Sequence, residues 1–143
     1  MPLVSASSDR DISNISIGIQ RSGLVPYEEA LANQRFVHSE VSQGIRPNTL
    51  ILLEHPSVYT AGKRTSEIEK PTDGTPVIDV DRGGKITWHG PGQLVGYPIV
   101  KLAKPTELVG FVREIEAGLI KVCSEFGITT QRVDGRSGVW IRD

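Results

Sequence analysis

Apolar and polar positions alternate through ISNISIGIQ, Ile12 to Gln20, the period-two signature of a half-buried strand. After a break at Gly23, Pro26 and Tyr27 open a stretch in which Tyr27, Leu31, Val37 and Val41 share one helical side, closed by Gly44. The run TLILLEH, Thr49 to His55, is too short and too continuously apolar for an exposed helix, and predicts a buried central strand. VYTAGKR follows the Pro56 turn as a second short strand or loop ended by Gly62, and KPTDGTPV reads as a surface turn around Asp73-Gly74. Val77 to Val80 and Leu94 to Val100 predict two more strands. Between them lies RGGKITWHGPGQ, Arg82 to Gln93, with four glycines. It has too little apolar periodicity for a helix and too much glycine for a strand interior. It reads as a loop held between two strands, where binding residues commonly sit.

Further along, Thr106 is placed to cap a long helix and Glu107 suits its first turn. Leu108, Phe111, Val112, Ile115, Leu119, Val122, Cys123 and Phe126 then form an apolar stripe that ends at Gly127. Gln131 to Val133 and Gly138 to Ile141 predict short strands around an Asp134-Gly135 turn. Strands mixed with two helices and hairpin-like turns predict an α/β (α+β) fold, a mixed β-sheet flanked by helices. Neither an internal repeat nor an interdomain linker is visible. Residues 1–11 read as a disordered leader, and residues 12–143 as part of a single domain. The leader, MPLVSASSDRD, lacks the basic start and apolar segment of a targeting peptide.

Composition narrows the function classes. At 143 residues the chain is long enough to bury roughly two-thirds of the surface its unfolded form exposes. The apolar fraction of 38% and charged fraction of 23% are those of a globular protein. With no apolar run of about 18 residues, the expectation is no membrane association and a cytoplasmic location. The net charge of −1 provides no field for capturing nucleic acid, so none is expected as a partner. Lys63, Arg64, Arg82, Lys85, Arg132 and Arg136 could still form a local basic face, or stand as solvated charges. One cysteine excludes an internal disulfide, and three scattered histidines suggest no metal site.

The chemical candidates are few. Cys123 sits inside the helical stripe beside Leu119 and Phe126, the setting of an inert core thiol. His38 lies on a helix with no second ligand at i+4, and reads as a surface or packing residue. His55, at the corner after the buried strand, could point into a crevice as a substrate contact or stabilise the turn by a hydrogen bond. In the cluster, Gly83-Gly84 removes side chains so that backbone amides can approach a ligand, with Arg82 and Lys85 available for an anionic or thioester-bearing group. The alternative is a tight hairpin with incidental charges. The spacing matches neither the GxGxxG of dinucleotide folds nor a P-loop.

The combination of LLEHPSVYTAGKR with DRGGKITWHGPGQLVGYPIV, followed by the long helix and RVDGRSGVW, resembles the lipoyl(octanoyl) transferase family of lipoate biosynthesis, especially its actinobacterial members. The resemblance implies a biotin/lipoate protein ligase-like catalytic fold. It also implies transfer of an octanoyl group from octanoyl-acyl carrier protein to a lysine on lipoyl domains, such as those of 2-oxo acid dehydrogenase complexes and the glycine-cleavage H protein. Substrate binding carries onto Arg82, Gly83, Gly84, Lys85, Ile86, Thr87, Trp88 and His89, with Trp88 standing where many members have tyrosine. No cofactor is implied. The family's acyl-accepting cysteine and its lysine lie after the GVW strand, and neither Cys123 nor any lysine here matches them. The expectation is therefore the N-terminal part of a catalytic domain, truncated and inactive alone. Two other readings remain at this point: an ATP-dependent lipoate or biotin ligase on the same fold, and a non-enzymatic fragment that binds acyl chains or carrier protein.

Overall fold

The structure, a computed structural model, describes residues 16–142. The leader expected at residues 1–11 and the start of the strand expected from Ile12 lie outside the described residues. In chain order the elements are β1 (Gly18–Leu24), α1 (Tyr27–Ser42), β2 (Thr49–Glu54), β3 (Val58–Ala61), β4 (Val77–Asp79), β5 (Thr87–His89), β6 (Val95–Ile99), α2 (Leu108–Glu125), β7 (Gln131–Val133) and β8 (Arg136–Trp140). They fall into two compact units, Met1–Lys101 and Leu102–Asp143. The mixed α+β architecture matches the fold class expected from the sequence.

The first unit contains two three-stranded sheets, ordered β1-β2-β6 and β4-β3-β5. β1 and β2 are parallel, a pairing that requires a crossover, and α1 supplies it. β1 runs through Gly23 instead of breaking there: the register shifts between Arg21 and Gly23, and Gly23 takes φ +69. The partner β2 continues to Glu54, and its unmet backbone groups draw β1 along. α1 follows Pro26, carries Glu28 and Glu29 in its first turn where the helix dipole favours anions, and ends before Gly44 at φ +75.

β2 is the central strand of its sheet, as expected, and alternates between buried and half-buried positions. Thr49, Ile51 and Leu53 are buried. Ile51 and Leu53 join Ala30, Val37 and Val41 in the core, with Val25, Val95, Tyr97 and Ile99 packed around them. Burying each of Val37, Val41, Ile51 and Leu53 stabilises the unit by roughly 1.5–3 kcal/mol relative to exposure. Leu50 and Leu52, on the opposite face, lie across from Pro98 and Gly96 of antiparallel β6.

In the second sheet β3 pairs in parallel with β4 and antiparallel with β5. The glycine cluster is thus not wholly a loop: its Thr87–His89 segment is a strand. β3 has a free edge once β4 is paired, and a threonine, a tryptophan and a histidine in extended conformation satisfy it.

The second unit opens with a short 3-10 turn, Pro105–Glu107, and then α2. Thr106 does not cap this helix. It lies within the 3-10 turn closed by Glu107 N–H on Lys104 O (3.0 Å), and no side chain caps the helix start. The other end is as expected, with Gly127 at φ +76 and Ile128 N–H on Cys123 O. β7 and β8 form a hairpin through Asp134 and Gly135, the latter at φ +76.

The apolar stripe of α2 is not a core. Phe126 is 79% exposed, Leu108, Val109, Leu119 and Val122 are also exposed, and Cys123 is only half-buried. The buried residue of the helix is Glu116, which receives Arg113 Nη1 (3.1 Å), Arg132 Nε (3.1 Å) and Gly138 N–H (3.0 Å). A buried carboxylate is tolerable only with such partners. The Gly138 backbone bond, followed by the arginines, holds its pKa below the usual carboxylate value. Among the described residues no helix is long and apolar enough to cross a membrane.

Candidate functional site

The site is built behind the glycine loop, at the end of β3. Gly62 is buried, and a Cβ there would stand 2.5 Å from Gly84 O, 2.7 Å from Arg82 Nη1 and 2.9 Å from Gly83 O. The loop is laid directly against it. Lys63 N–H donates to Arg82 O (3.1 Å) and Arg64 N–H to Gly84 O (2.9 Å), stitching the two segments together. Gly84 needs its freedom at φ +85. Gly83 has open space where a side chain would stand.

Arg82, expected to meet substrate, turns its guanidinium onto the chain itself. Nη1 donates to Gly83 O (3.1 Å) and Lys85 O (2.8 Å), and Nη2 to Thr60 O (2.8 Å) and Thr60 Oγ1 (2.9 Å). Lys85 pairs with Glu69, whose carboxyl also accepts the Ser66 N–H and hydroxyl. The Lys85 ammonium, with the Ser66 bonds, brings Glu69 down to about 2. Lys63 pairs with Asp81 (2.8 Å), which raises the lysine and lowers the aspartate. Within the second unit, Arg132 is bound to Glu116, and Arg136 lies over the Trp140 ring. Arg64 has no ion-pair partner among the described residues.

Past the turn, Ile86 is half-buried and Thr87 exposed. The Trp88 ring lies over Gly90, where an added Cβ would overlap it, and Nε1 donates to Ser57 Oγ (2.9 Å). The ring remains 39% exposed, an aromatic wall open to solvent on one side. Gly90 is thus explained by the tryptophan two residues earlier. His89 meets Gln93 Oε1 through Nδ1 (2.7 Å), and its Nε2 has no hydrogen-bond partner among the described residues.

His55 is fully buried beneath this element. Its Nδ1 is 2.8 Å from Val25 O, a pure acceptor, so the proton sits on Nδ1 and the Tyr97 hydroxyl donates to Nε2 (2.7 Å). Burial is the main cause that lowers the His55 pKa, and burial likewise pushes Tyr97 up to about 12. Of the two roles open from the sequence, the hydrogen-bonded one is observed: His55 ties the end of β2 to the segment before α1 and to β6. The ring also faces His89 at 5.7 Å and Tyr27 at 5.3 Å between centroids.

A nearby cleft of about 190 Å³ is lined by Pro26, Tyr27, Pro56, Ser57, Val58 and Ile78 among others. It is smaller than the roughly 300–1,000 Å³ of a drug-sized ligand site. The structure brings all eight residues of the Arg82–His89 element into one loop and strand. It adds His55, already weighed from the sequence, and Ser57, Thr60, Gly62 and Tyr97, which motif reading had passed over. Gly62 carried the one available signal, a glycine just after a strand, but read as a strand terminator. Chemically the arrangement offers ordered backbone, an aromatic wall and an imidazole edge. The single cysteine, Cys123, belongs to the other unit. Among the described residues, no three His, Cys, Asp or Glu side chains gather as metal ligands.

Comparison with known proteins gives this geometry a family. The model for the lipoyl protein ligase A/B catalytic domain matches residues 26–143. The chain is 63% identical over 125 residues to an octanoyltransferase of Acidothermus cellulolyticus, which covers 87% of this chain and 57% of that protein. It is 56% identical over 137 residues to one from Rhodococcus jostii, covering 96% and 53%. Against one from Streptomyces coelicolor it is 62% identical over 117 residues, covering 82% and 44%. The chain spans about half the length of the curated relatives it matches. With a catalytic-domain match that takes in the whole glycine element and the strands that seat it, the chain belongs to the lipoyl protein ligase A/B catalytic domain family.

Proposed function

We propose that this chain forms the acyl-binding part of an octanoyltransferase of lipoate biosynthesis, working in the cytoplasm. The donor is octanoyl-acyl carrier protein, and the acceptors are lysines on lipoyl domains, including those of 2-oxo acid dehydrogenase complexes and the glycine-cleavage H protein. The carrying observation is the 56–63% identity to octanoyltransferases over most of the chain, with a catalytic-domain match over residues 26–143 that includes the Arg82–His89 element, together with the way that element is built. A thioester presents a long apolar tail and one polar carbonyl, so its site needs an apolar wall and a few fixed polar groups. Trp88 and Ile86 supply wall. Backbone near Gly83, with Thr87 and the His89 edge, supplies the polar contacts.

In this reading a cysteine thiolate outside these 143 residues attacks the carrier-bound thioester. The octanoyl group moves onto that sulfur and the carrier leaves as its thiolate, which takes a proton from solvent. The amine of the target lysine then attacks the enzyme thioester, forms the amide and returns the thiolate, with the amine proton passing to a base. The present residues bind and orient the acyl group, and none of them is proposed as the nucleophile.

The test is mass spectrometry of an apo lipoyl domain incubated with octanoyl-acyl carrier protein and either this chain or a longer version of the relatives' length. The expected result is octanoylation by the longer version without ATP, and none by this chain alone. Transfer that requires ATP and free octanoate would replace this reading with a ligase. Transfer by the short chain would return Cys123 to consideration.

A further inference from the structure

We propose that Thr60, Gly62 and Arg82 are the positioning residues of the acyl-binding loop: they form the seat that fixes Gly83–Lys85 before any ligand arrives. The inference rests on the proposed function for the identity of the ligand, but not for the seat itself.

Three glycines meet here, two of them required for different reasons and the third required by neither. Gly84 is required by its backbone, at φ +85. Gly62 has no positive φ; it is required by contact, because any Cβ would press into Gly84 O and Gly83 O, which are backbone atoms without rotamers to yield. Gly83 is required by neither, since a Cβ there would meet nothing within 4 Å. The open side of the loop is therefore at Gly83, and its closed side rests on Gly62.

Arg82 completes the seat. Its two terminal nitrogens make four hydrogen bonds, two to carbonyls of the loop and two to the backbone and hydroxyl of Thr60, which is 1% exposed. A planar fork can hold both segments at once, whereas a lysine ammonium is a point donor on a flexible stem. Both terminal nitrogens of Arg82 are thus bound to the chain itself, and Arg82 acts on ligand through the loop. The ion pair of Lys85 with Glu69 fastens the loop's far end to the capped turn Glu67–Glu69. Fixing the loop in advance lowers the ordering cost of binding and keeps its amides aligned with the acyl head.

The experiment compares the native chain with Gly62→Ala, Thr60→Val, Thr60→Ser and Arg82→Lys. Trypsin cleavage after residue 82 and after Lys85 reports opening of the loop. Amide exchange at Ile51 and Leu53 reports whether the first unit is still folded. Titration with octanoyl-pantetheine reports the ligand. Gly62→Ala, Arg82→Lys and Thr60→Val are expected to raise loop cleavage about tenfold or more, as the open population grows, while Ile51 and Leu53 stay protected. They are expected to weaken octanoyl-pantetheine by a similar factor, and Thr60→Ser, which keeps the hydroxyl, is expected to restore both. Should Gly62→Ala unfold the unit, the Thr60 pair decides alone. Native resistance to trypsin in folded Gly62→Ala and Thr60→Val would overturn the proposal, as would an opened loop with unchanged ligand affinity. Opened loops in a chain whose native form does not bind octanoyl-pantetheine would uphold the seat and remove the acyl reading instead.

Discussion

The two helices of this chain reverse the relation between apolar pattern and burial. α1 is the more polar, yet Ala30, Val37 and Val41 are buried against β2. α2 carries the longer apolar stripe, yet its buried residue is a carboxylate and Phe126 is 79% exposed. The difference lies in what each helix meets. α1 connects two parallel strands of one sheet and must lie across it. Among the described residues of its own unit α2 meets a two-stranded hairpin, held by the Glu116 contacts to Arg132 and Gly138. Amphipathic spacing tells which face of a helix favours burial; it does not tell whether a surface is there to bury it.

That contrast can be broken by mutation. The largest effect belongs to Ile51→Ala in the packed unit, with an expected loss of about 2–5 kcal/mol in denaturant unfolding. His55→Phe is next, because it removes the partner that the half-buried Val25 O and Tyr97 hydroxyl share, at about 1–3 kcal/mol for such a loss. At the other extreme, Phe126→Ser on the exposed stripe should change the chain's stability by no more than about 0.5 kcal/mol. A Phe126→Ser loss as large as that of Ile51→Ala would mean that the stripe is packed after all.

Acid should sharpen the same contrast, because among the described residues the buried titratable groups are of opposite kind, His55 in one unit and Glu116 in the other. The His55 pKa is lowered from 6.5 when folded, mainly by desolvation. The unfolded chain therefore binds the extra proton, and the first unit loses stability as pH falls below 6.5 toward the lower folded value. The Glu116 pKa is lowered from 4.5, first by the Gly138 bond. Its contribution is whole above 4.5 and is lost only as pH falls through the lower folded value. Trp88 lies in one unit and Trp140 in the other. In single-tryptophan variants, Trp88 emission should respond to acid titration before that of Trp140. Glu116→Gln should flatten the Trp140 response below pH 4.5 and leave the Trp88 response in place. A single coincident transition would contradict the assignment.

Much of the fold was legible because its signals were local. The Thr49–His55 run, the Gly44 and Gly127 helix ends, and the Asp73-Gly74 and Asp134-Gly135 turns are all set by residues next to one another. The strand misreadings have non-local causes. β1 passes Gly23 because its partner extends to Glu54, and β5 forms inside the cluster because β3 has an edge to fill; the Thr106 misreading alone is local, made by the 3-10 turn of its own neighbours. The candidate loop was visible as a motif, but its internal logic was not. That Arg82 faces Thr60, and that Gly62 exists to admit Gly84, depends on contacts across about twenty residues that spacing does not encode.

The most direct measurement is an amide-resolved NMR titration of this chain with octanoyl-pantetheine. The account predicts saturable shifts centred on Gly83, Gly84, Thr87, Trp88 and His89, with Gly135 and Gly138 of the second unit unmoved. Absence of binding, or shifts centred on the hairpin and α2 instead, would contradict the assignment of the Arg82–His89 element as the acyl-binding site.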